Sequence, residues 1–187
     1  MIHTPFRPFS SGLELGDELL CLRPWGRAGD QAELLSAYQD LDVPPAWAAR
    51  TAPLGKREAQ DFLTRCRRGW TRGDQVSFAI MRRDDGVLLG HISLWAAEAG
   101  LAQFGFWLKR SARHQGYLRR AMALLIAWAE QEVGLARLRI ITQPKNLGTQ
   151  KAAQASGFSR VGSGILTRGH LRYTYLIFER ALSSHDF

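Results

Sequence analysis

Apolar positions along this chain alternate between two periods, and the switches mark its elements. Leu20-Cys21-Leu22-Arg23 reads as a strand, and Asp30 with Glu33 has the spacing of a capping box ahead of Leu34, Leu35 and Tyr38, opening a first helix. Over residues 56–70, Ala59, Phe62, Leu63, Cys66 and Trp70 recur at helical spacing, with Arg65, Arg67 and Arg68 turned outward. Three β-rich runs follow, 76–82, 87–95 and 101–108, closed by Asp84-Asp85-Gly86 and Glu98-Ala99-Gly100. Turns that short favour an antiparallel meander. The helical period returns over 116–133, burying Ala121, Leu125, Trp128 and Ala129. Residues 138–142 then read as a strand, 146–156 as a short helix, and 158–166 and 171–178 as two more strands. The order β-α-α-β-β-β-α-β-α-β-β predicts a mixed α/β or α+β fold around a single sheet flanked by helices. The segment around Asp42-Val43-Pro44-Pro45 and Thr51-Ala52-Pro53-Leu54-Gly55 is the expected long loop.

Composition narrows the class without naming a chemistry. At 187 residues, 45% hydrophobic and 22% charged, the chain suits one soluble domain, placed here over 13–180 with 1–12 and 181–187 as terminal extensions. The apolar run Ala121 to Ala129 is too short to cross a bilayer, and the first residues lack the basic start and apolar block of a secretory signal. Cys21 and Cys66 form neither a disulfide framework nor a metal-ligand spacing, so a cytoplasmic protein without a metal is expected. Cys66, on the apolar helix stripe, reads as core.

The charge is unevenly placed. The formal net charge is +8; residues 1–100 hold 12 basic and 13 acidic side chains, whereas 101–187 hold 13 basic and 4 acidic. The second half is therefore expected to meet an anion. Its most informative stretch is Leu108-Lys109-Arg110-Ser111-Ala112-Arg113-His114-Gln115-Gly116-Tyr117-Leu118-Arg119-Arg120, which joins a strand to a helix. A helix N-terminus leaves backbone N–H groups unpaired and carries partial positive charge, and Gly116 lets backbone approach a ligand closely. Arg119 and Arg120 in the first turn oppose the macrodipole, so a negative group such as a pyrophosphate is the expected compensation.

At these residues the chain resembles the GNAT superfamily of acyl-CoA-dependent N-acyltransferases, whose pyrophosphate loop reads Arg/Gln-x-x-Gly-x-Gly/Ala. Here Arg113-x-x-Gly116-x-Leu118 stands in that place. Phe104-Gly105-Phe106-Trp107-Leu108 resembles the "IGYWL" strand of the branch that acetylates ribosomal protein N-termini, the RimJ/RimL type. Asn146-Leu147-Gly148-Thr149 followed by Ala155-Ser156-Gly157-Phe158 is similar to its "N-x-x-S…GF" helix and strand, and Leu13-Glu14-Leu15…Leu20-Cys21-Leu22-Arg23-Pro24 to its opening strand. The resemblance implies a GNAT fold with acetyl-CoA as co-substrate, bound where two strands splay, and direct transfer to a primary amine. It implies that backbone groups of Phe106 and Leu108 pair with pantetheine and that the amides of Arg113, His114, Gly116, Tyr117, Leu118 and Arg119 cradle the pyrophosphate. Asn146 would touch the pantetheine arm, and Thr149, in the place of the branch's serine, would return a proton to the CoA thiolate. Read only from its own surroundings, Asn146 is equally a helix cap and Thr149 a packed side chain.

Three departures bear on the reaction. Leu118 replaces the usual small residue, Gln103 lies where the branch carries a glutamate, and no Asp or Glu occurs between Gly164 and Tyr175. The usual general base is thus missing or relocated, with His91, Glu98 and Tyr173 as candidates. That absence favours an easily deprotonated acceptor. At pH 7 a lysine side chain must climb about 3.4 units to become neutral, costing about 4.6 kcal/mol, whereas a peptide α-amine needs only about 1 unit. The expected acceptor is therefore a protein or peptide α-amine, ribosomal-protein-like; the alternatives are a small-molecule amine (aminoglycoside, polyamine or amino acid) or a catalytically weak CoA-binding sensor. Trp47, Trp70 and Trp95 are candidate walls of the acceptor groove. No nucleic-acid reading motif accompanies the basic half, so direct nucleic-acid binding is not expected, and monomer and homodimer both remain open.

Overall fold

A computed structural model of the chain describes residues 13–39, 55–131, 135–168 and 171–182. Its elements run β1 (Leu15–Gly16), β2 (Leu20–Pro24), α1 (Asp30–Gln39), α2 (Lys56–Arg72), β3 (Gln75–Arg82), β4 (Leu88–Glu98), β5 (Leu101–Leu108), α3 (Tyr117–Ala129), β6 (Arg137–Thr142), α4 (Leu147–Ala155), β7 (Ser159–Arg168) and β8 (Leu171–Ala181). The predicted order is present, with one added short strand, β1, in the segment already matched to an opening strand. The strands form one sheet in the order β1-β2-β3-β4-β5-β6-β8-β7. Every neighbouring pair is antiparallel except β5 and β6.

Alternation along the strands builds two apolar layers. On one face Val76, Phe78 and Ile80 of β3 and Ile92 and Leu94 of β4 join Met122, Leu125 and Ile126 of α3. On the other, Ala79 and Met81 pack with Leu34 and Ala37 of α1 and Ala59, Leu63 and Cys66 of α2. The stripe predicted for α2 is therefore its buried face, apart from half-buried Phe62. Glu58 accepts from the Gly55 N–H (3.0 Å) to start that helix, and Gly73, in the left-handed region, ends it.

Two local expectations change. Asp30 is not a helix cap: its carboxylate accepts from Arg23 Nη2 (2.7 Å) and Nη1 (3.2 Å) and from the backbone N–H groups of Gly26 (2.6 Å) and Arg27 (2.9 Å). Arg23 and Asp30 are both buried. A guanidinium drawn under the sheet needs its counter-charge there, and that demand outweighs the local capping pattern. The helix expected over 116–133 ends instead at Ala129, where Glu130 turns to pair with Arg180 (2.9 Å).

Candidate active site

The site begins where the sheet opens. β5 and β6 are parallel, yet they pair only through Leu101↔Arg137, Ala102↔Leu138 and Gln103↔Arg139. Beyond Gln103, β5 keeps β4 as a neighbour and β6 keeps β8, so a wedge separates Phe104–Leu108 from Ile140–Thr142. The Lys109 N–H donates to Leu89 O (2.9 Å) on the β4 side. Backbone groups alternate in direction along a strand, so those of Phe106 and Leu108 face the wedge. The Leu108 carbonyl accepts from Arg113 Nε at 3.4 Å.

The loop after β5 leads from the end of this opening into α3, and its Arg113 N–H closes back on Arg110 O (3.2 Å). A 3₁₀ turn at Arg110–Ala112 is anchored by buried Ala112, after which His114 (φ 63°) and Gly116 (φ 79°) both adopt left-handed backbone. Among the described residues His114 is the one non-glycine with positive φ. Successive turns of this kind make an anion-binding concavity. Gly116 caps α3 without any side-chain hydrogen bond, and Arg120 N–H closes the first helical bond onto Gly116 O (3.2 Å). The N–H groups of Tyr117, Leu118 and Arg119 are thus outside the helix's own ladder. Half-buried Leu118 packs against the core, which accounts for an apolar residue at a usually small position. Arg119 is exposed. Arg120 is not free to meet an anion, because Asp17 (3.0 Å) and Glu18 (2.7 Å) neutralise it. Arg137, Arg139 and Arg180 are paired likewise with Glu179, Glu98 and Glu130, so much of the second half's charge is spent internally.

Asn146 and Thr149 follow β6, across the wedge from the loop that follows β5. Asn146 Oδ1 accepts from the Thr149 N–H (3.1 Å) and caps α4, with its amide NH₂ left over; Thr149 is buried in the first turn.

On the α1/α2 side of β5 lies a cleft of about 520 Å³, bordered by Tyr38, Phe62, Arg65, Trp95, Phe106 and Trp107 over a floor of Cys66, His91 and Ser93. Phe106 thus borders both the wedge and the cleft. Gly105 makes room for this wall: a Cβ there would stand 2.5 Å from the Trp95 ring. Trp25 Nε1 donates to His91 Nδ1 (3.0 Å), leaving Nε2 as the protonated nitrogen toward Ser93 Oγ (3.2 Å), which donates to Gly105 O (3.2 Å). Burial pushes the His91 pKa down to about 3. Its single lone pair is already engaged, so His91 cannot serve as the base. Glu98 is held by Arg139 (3.0 Å), and Tyr173 stands opposite Leu166 in the β7–β8 hairpin, away from the cleft lining. Gln103 does not border the cleft either. Burial raises the Cys66 thiol to about 11, keeping it protonated. Of the suggested tryptophans, Trp95 lines the cleft, Trp70 is core against Phe78 and Trp128, and Trp47 lies outside the described residues.

Residues 20–159 match the model of the acetyltransferase (GNAT) domain family. The chain belongs to that family. It is 27% identical over 94 residues to the "Probable N-acetyltransferase YjcK" of Bacillus subtilis (strain 168), covering 49% of this chain and 52% of that protein. The matched segments span about half the length of the curated relatives. Among solved structures, Mycobacterium smegmatis RimJ in complex with CoA-disulfide superposes with a TM-score of 0.78 at 19% identity, over 91% of this chain and 88% of that one. RimL, the ribosomal L7/L12 alpha-N-protein acetyltransferase in complex with coenzyme A, does so with a TM-score of 0.73 at 17% identity, over 91% and 98%. These likenesses establish the GNAT fold of the chain. Among the described residues no helix is long and apolar enough to cross a membrane.

Trp95, His91 and Phe106, singled out in the sequence as site candidates, all border the cleft, whereas the rest of its lining was not. Arg65 is exposed, as its place on α2 implies, and at the same time borders the cleft; Tyr38, Phe62, Ser93 and Trp107 carry no signal beyond apolar or polar periodicity.

Proposed function

We propose that residues 13–180 form one acetyl-CoA-dependent N-acetyltransferase domain that acts on a weakly basic α-amine. One observation carries the reading: β5 leaves β6 after three pairs, exposing the backbone of Phe106 and Leu108 beside a start of α3 that no side chain caps. Acetyl-CoA supplies the acetyl group as an activated thioester. Backbone groups of Phe106 and Leu108 bind the pantetheine arm as a strand would. The Arg113 N–H is taken by Arg110 O (3.2 Å), so of the expected cradle it is the amides of His114, Gly116, Tyr117, Leu118 and Arg119 that bind the pyrophosphate. Arg113, tied to Leu108 O, holds the loop against the end of β5. The spare amide of Asn146 binds the pantetheine arm, and the Thr149 hydroxyl returns a proton to the departing thiolate.

The acceptor enters from the cleft side, meeting the thioester at Phe106. Apolar walls and the positive Arg65 favour the uncharged form of an amine, the form that attacks. No carboxylate borders the cleft among the described residues, so the acceptor must lose its proton easily or pass it to water. That supports a protein or peptide α-amine over a lysine side chain, and a protein N-terminus of the ribosomal kind is the favoured source.

Thiol release from acetyl-CoA, with mass spectrometry of the products, tests this against peptides carrying one free α-amine and one lysine. Acetylation of the α-amine at a higher rate is the expected result. Faster lysine modification would overturn the acceptor assignment, and CoA binding by calorimetry without release for any amine would make the chain a sensor module.

A further inference from the structure

We propose that the acceptor carries, on the same molecule as its amine, a flat apolar group and a carboxylate, and that Arg65 binds the carboxylate. This rests on the acyltransfer reading above and adds the substrate class.

The cleft itself carries the argument. Its volume of about 520 Å³ is that of a small-ligand site. Tyr38, Phe62, Trp95 and Trp107 supply flat aromatic walls, while Phe106, whose ring packs on the α3 face, borders the cleft through its backbone; Tyr38 and Trp107 meet edge to face, with centroids 5.6 Å apart. A rigid aromatic slot of this kind buries a planar apolar group at little entropic cost. Two donors in the cleft, Arg65 and Trp107 Nε1, are left open, beside one neutral acceptor, Gln75 Oε1. Arg65 is exposed at its border, makes no ion pair among the described residues, and is the one charged side chain in the lining described. Trp107 Nε1 is buried with no hydrogen-bond partner among the described residues. Other polar groups face one another: Gln75 Nε2 donates to Ser77 Oγ (2.8 Å), and His91 and Ser93 are linked to each other and to Gly105 O.

A lining of unpaired donors complements a ligand rich in acceptor atoms. The guanidinium fork of Arg65 matches a carboxylate in two parallel bonds. The same lining selects against polyamines and aminoglycosides, whose several ammonium groups would meet Arg65 and no carboxylate. Two sources offer the required chemistry: a free aromatic amino acid, and a peptide with an aromatic first residue followed by an acidic one.

Calorimetric binding to the CoA-loaded protein separates these possibilities. The ligands are L-phenylalanine, L-phenylalaninamide, and the amidated peptides Phe-Asp-Gly and Phe-Asn-Gly. At least one carboxylate ligand is expected to bind tenfold or more tightly than its neutral counterpart; the pair showing the preference identifies the source. Arg65→Gln should abolish the preference by weakening the carboxylate ligand about tenfold, with its neutral counterpart unchanged within twofold. Arg65→Lys should restore part of it. Equal binding of acid and amide in both pairs, a preference that survives Arg65→Gln, or no binding of any ligand would overturn the proposal. Thiol release in the same mixtures reads the enzyme assignment separately. A carboxylate preference without release for these or any other amine would end the acetyltransferase reading and leave the binding specificity standing.

Discussion

β5 presents two surfaces of opposite construction. Its edge toward β6 offers backbone groups continued by the amides of a loop and a helix start, with side chains mostly turned elsewhere. Its face toward α1 and α2 offers side chains alone: aromatic rings, Arg65 and the His91–Ser93 pair, supplied by α1, α2, β4 and β5. A site made of backbone needs only a strand that stops pairing and a turn that permits left-handed φ, so it tolerates drift in its side chains. Leu118 in a small-residue position is an instance. A site made of side chains changes with every substitution.

Substitutions should separate the two surfaces. The largest effect is expected under the α1/α2 face, from Asp30→Ala, which removes the buried partner of Arg23 and leaves it only the half-exposed Glu33 at 3.6 Å. It should cost about 3–5 kcal/mol in chemical denaturation. A loss below about 1 kcal/mol would mean that this face does not depend on its buried ion pair.

His91 gives the same face a pH signature. Its pKa is lowered in the fold, so the unfolded chain binds a proton that the folded one does not between about pH 6.5 and 3. Stability from this group is complete above pH 6.5 and falls on acidification, by up to about 1.4 kcal/mol per pH unit. Denaturation midpoints from pH 7 to 5 should show that slope in the wild type and lose it in His91→Gln. Lowered pKa values at Asp17 and Glu18 add acid sensitivity of the same sign at lower pH.

The wedge should respond to backbone changes. Gly116→Val puts a β-branched residue at φ 79°, where a Cβ meets no neighbour, so strain rather than collision is the cost, about 1–2 kcal/mol. CoA affinity is expected to fall about tenfold by calorimetry, with the acceptor cleft untouched; unaltered affinity would remove the loop from the site.

The smallest effect sharpens the assignment of Asn146. Asn146→Ala should lower stability by about 1 kcal/mol through loss of the α4 cap. Asn146→Asp keeps the cap and discards the spare amide donor. If it restores stability but not kcat/KM for acetyl-CoA, the residue both caps and binds; full recovery of both would leave it a cap.

Much of the architecture was readable from periodicity. The α2 stripe, the 76–108 meander and the α4 start at Asn146 are visible because each buries a face against a neighbour, and burial imposes a period on the residues. Where a local pattern competed with tertiary demand, it failed. Asp30 and Glu33 have capping-box spacing, but Asp30 serves Arg23. Arg120 looked like a phosphate ligand, but Asp17 and Glu18, over a hundred positions earlier, hold it.

By itself, then, the sequence determined the elements, their order, the Arg113-x-x-Gly116 loop and the family they belong to, since these depend on residues close together in the chain. Only the tertiary structure decided which arginines stay unpaired, that β5 leaves β6 after three pairs, and that Arg65 meets the aromatic walls of one cleft. Those outcomes depend on groups brought together from distant segments, and no spacing along the chain encodes such a meeting.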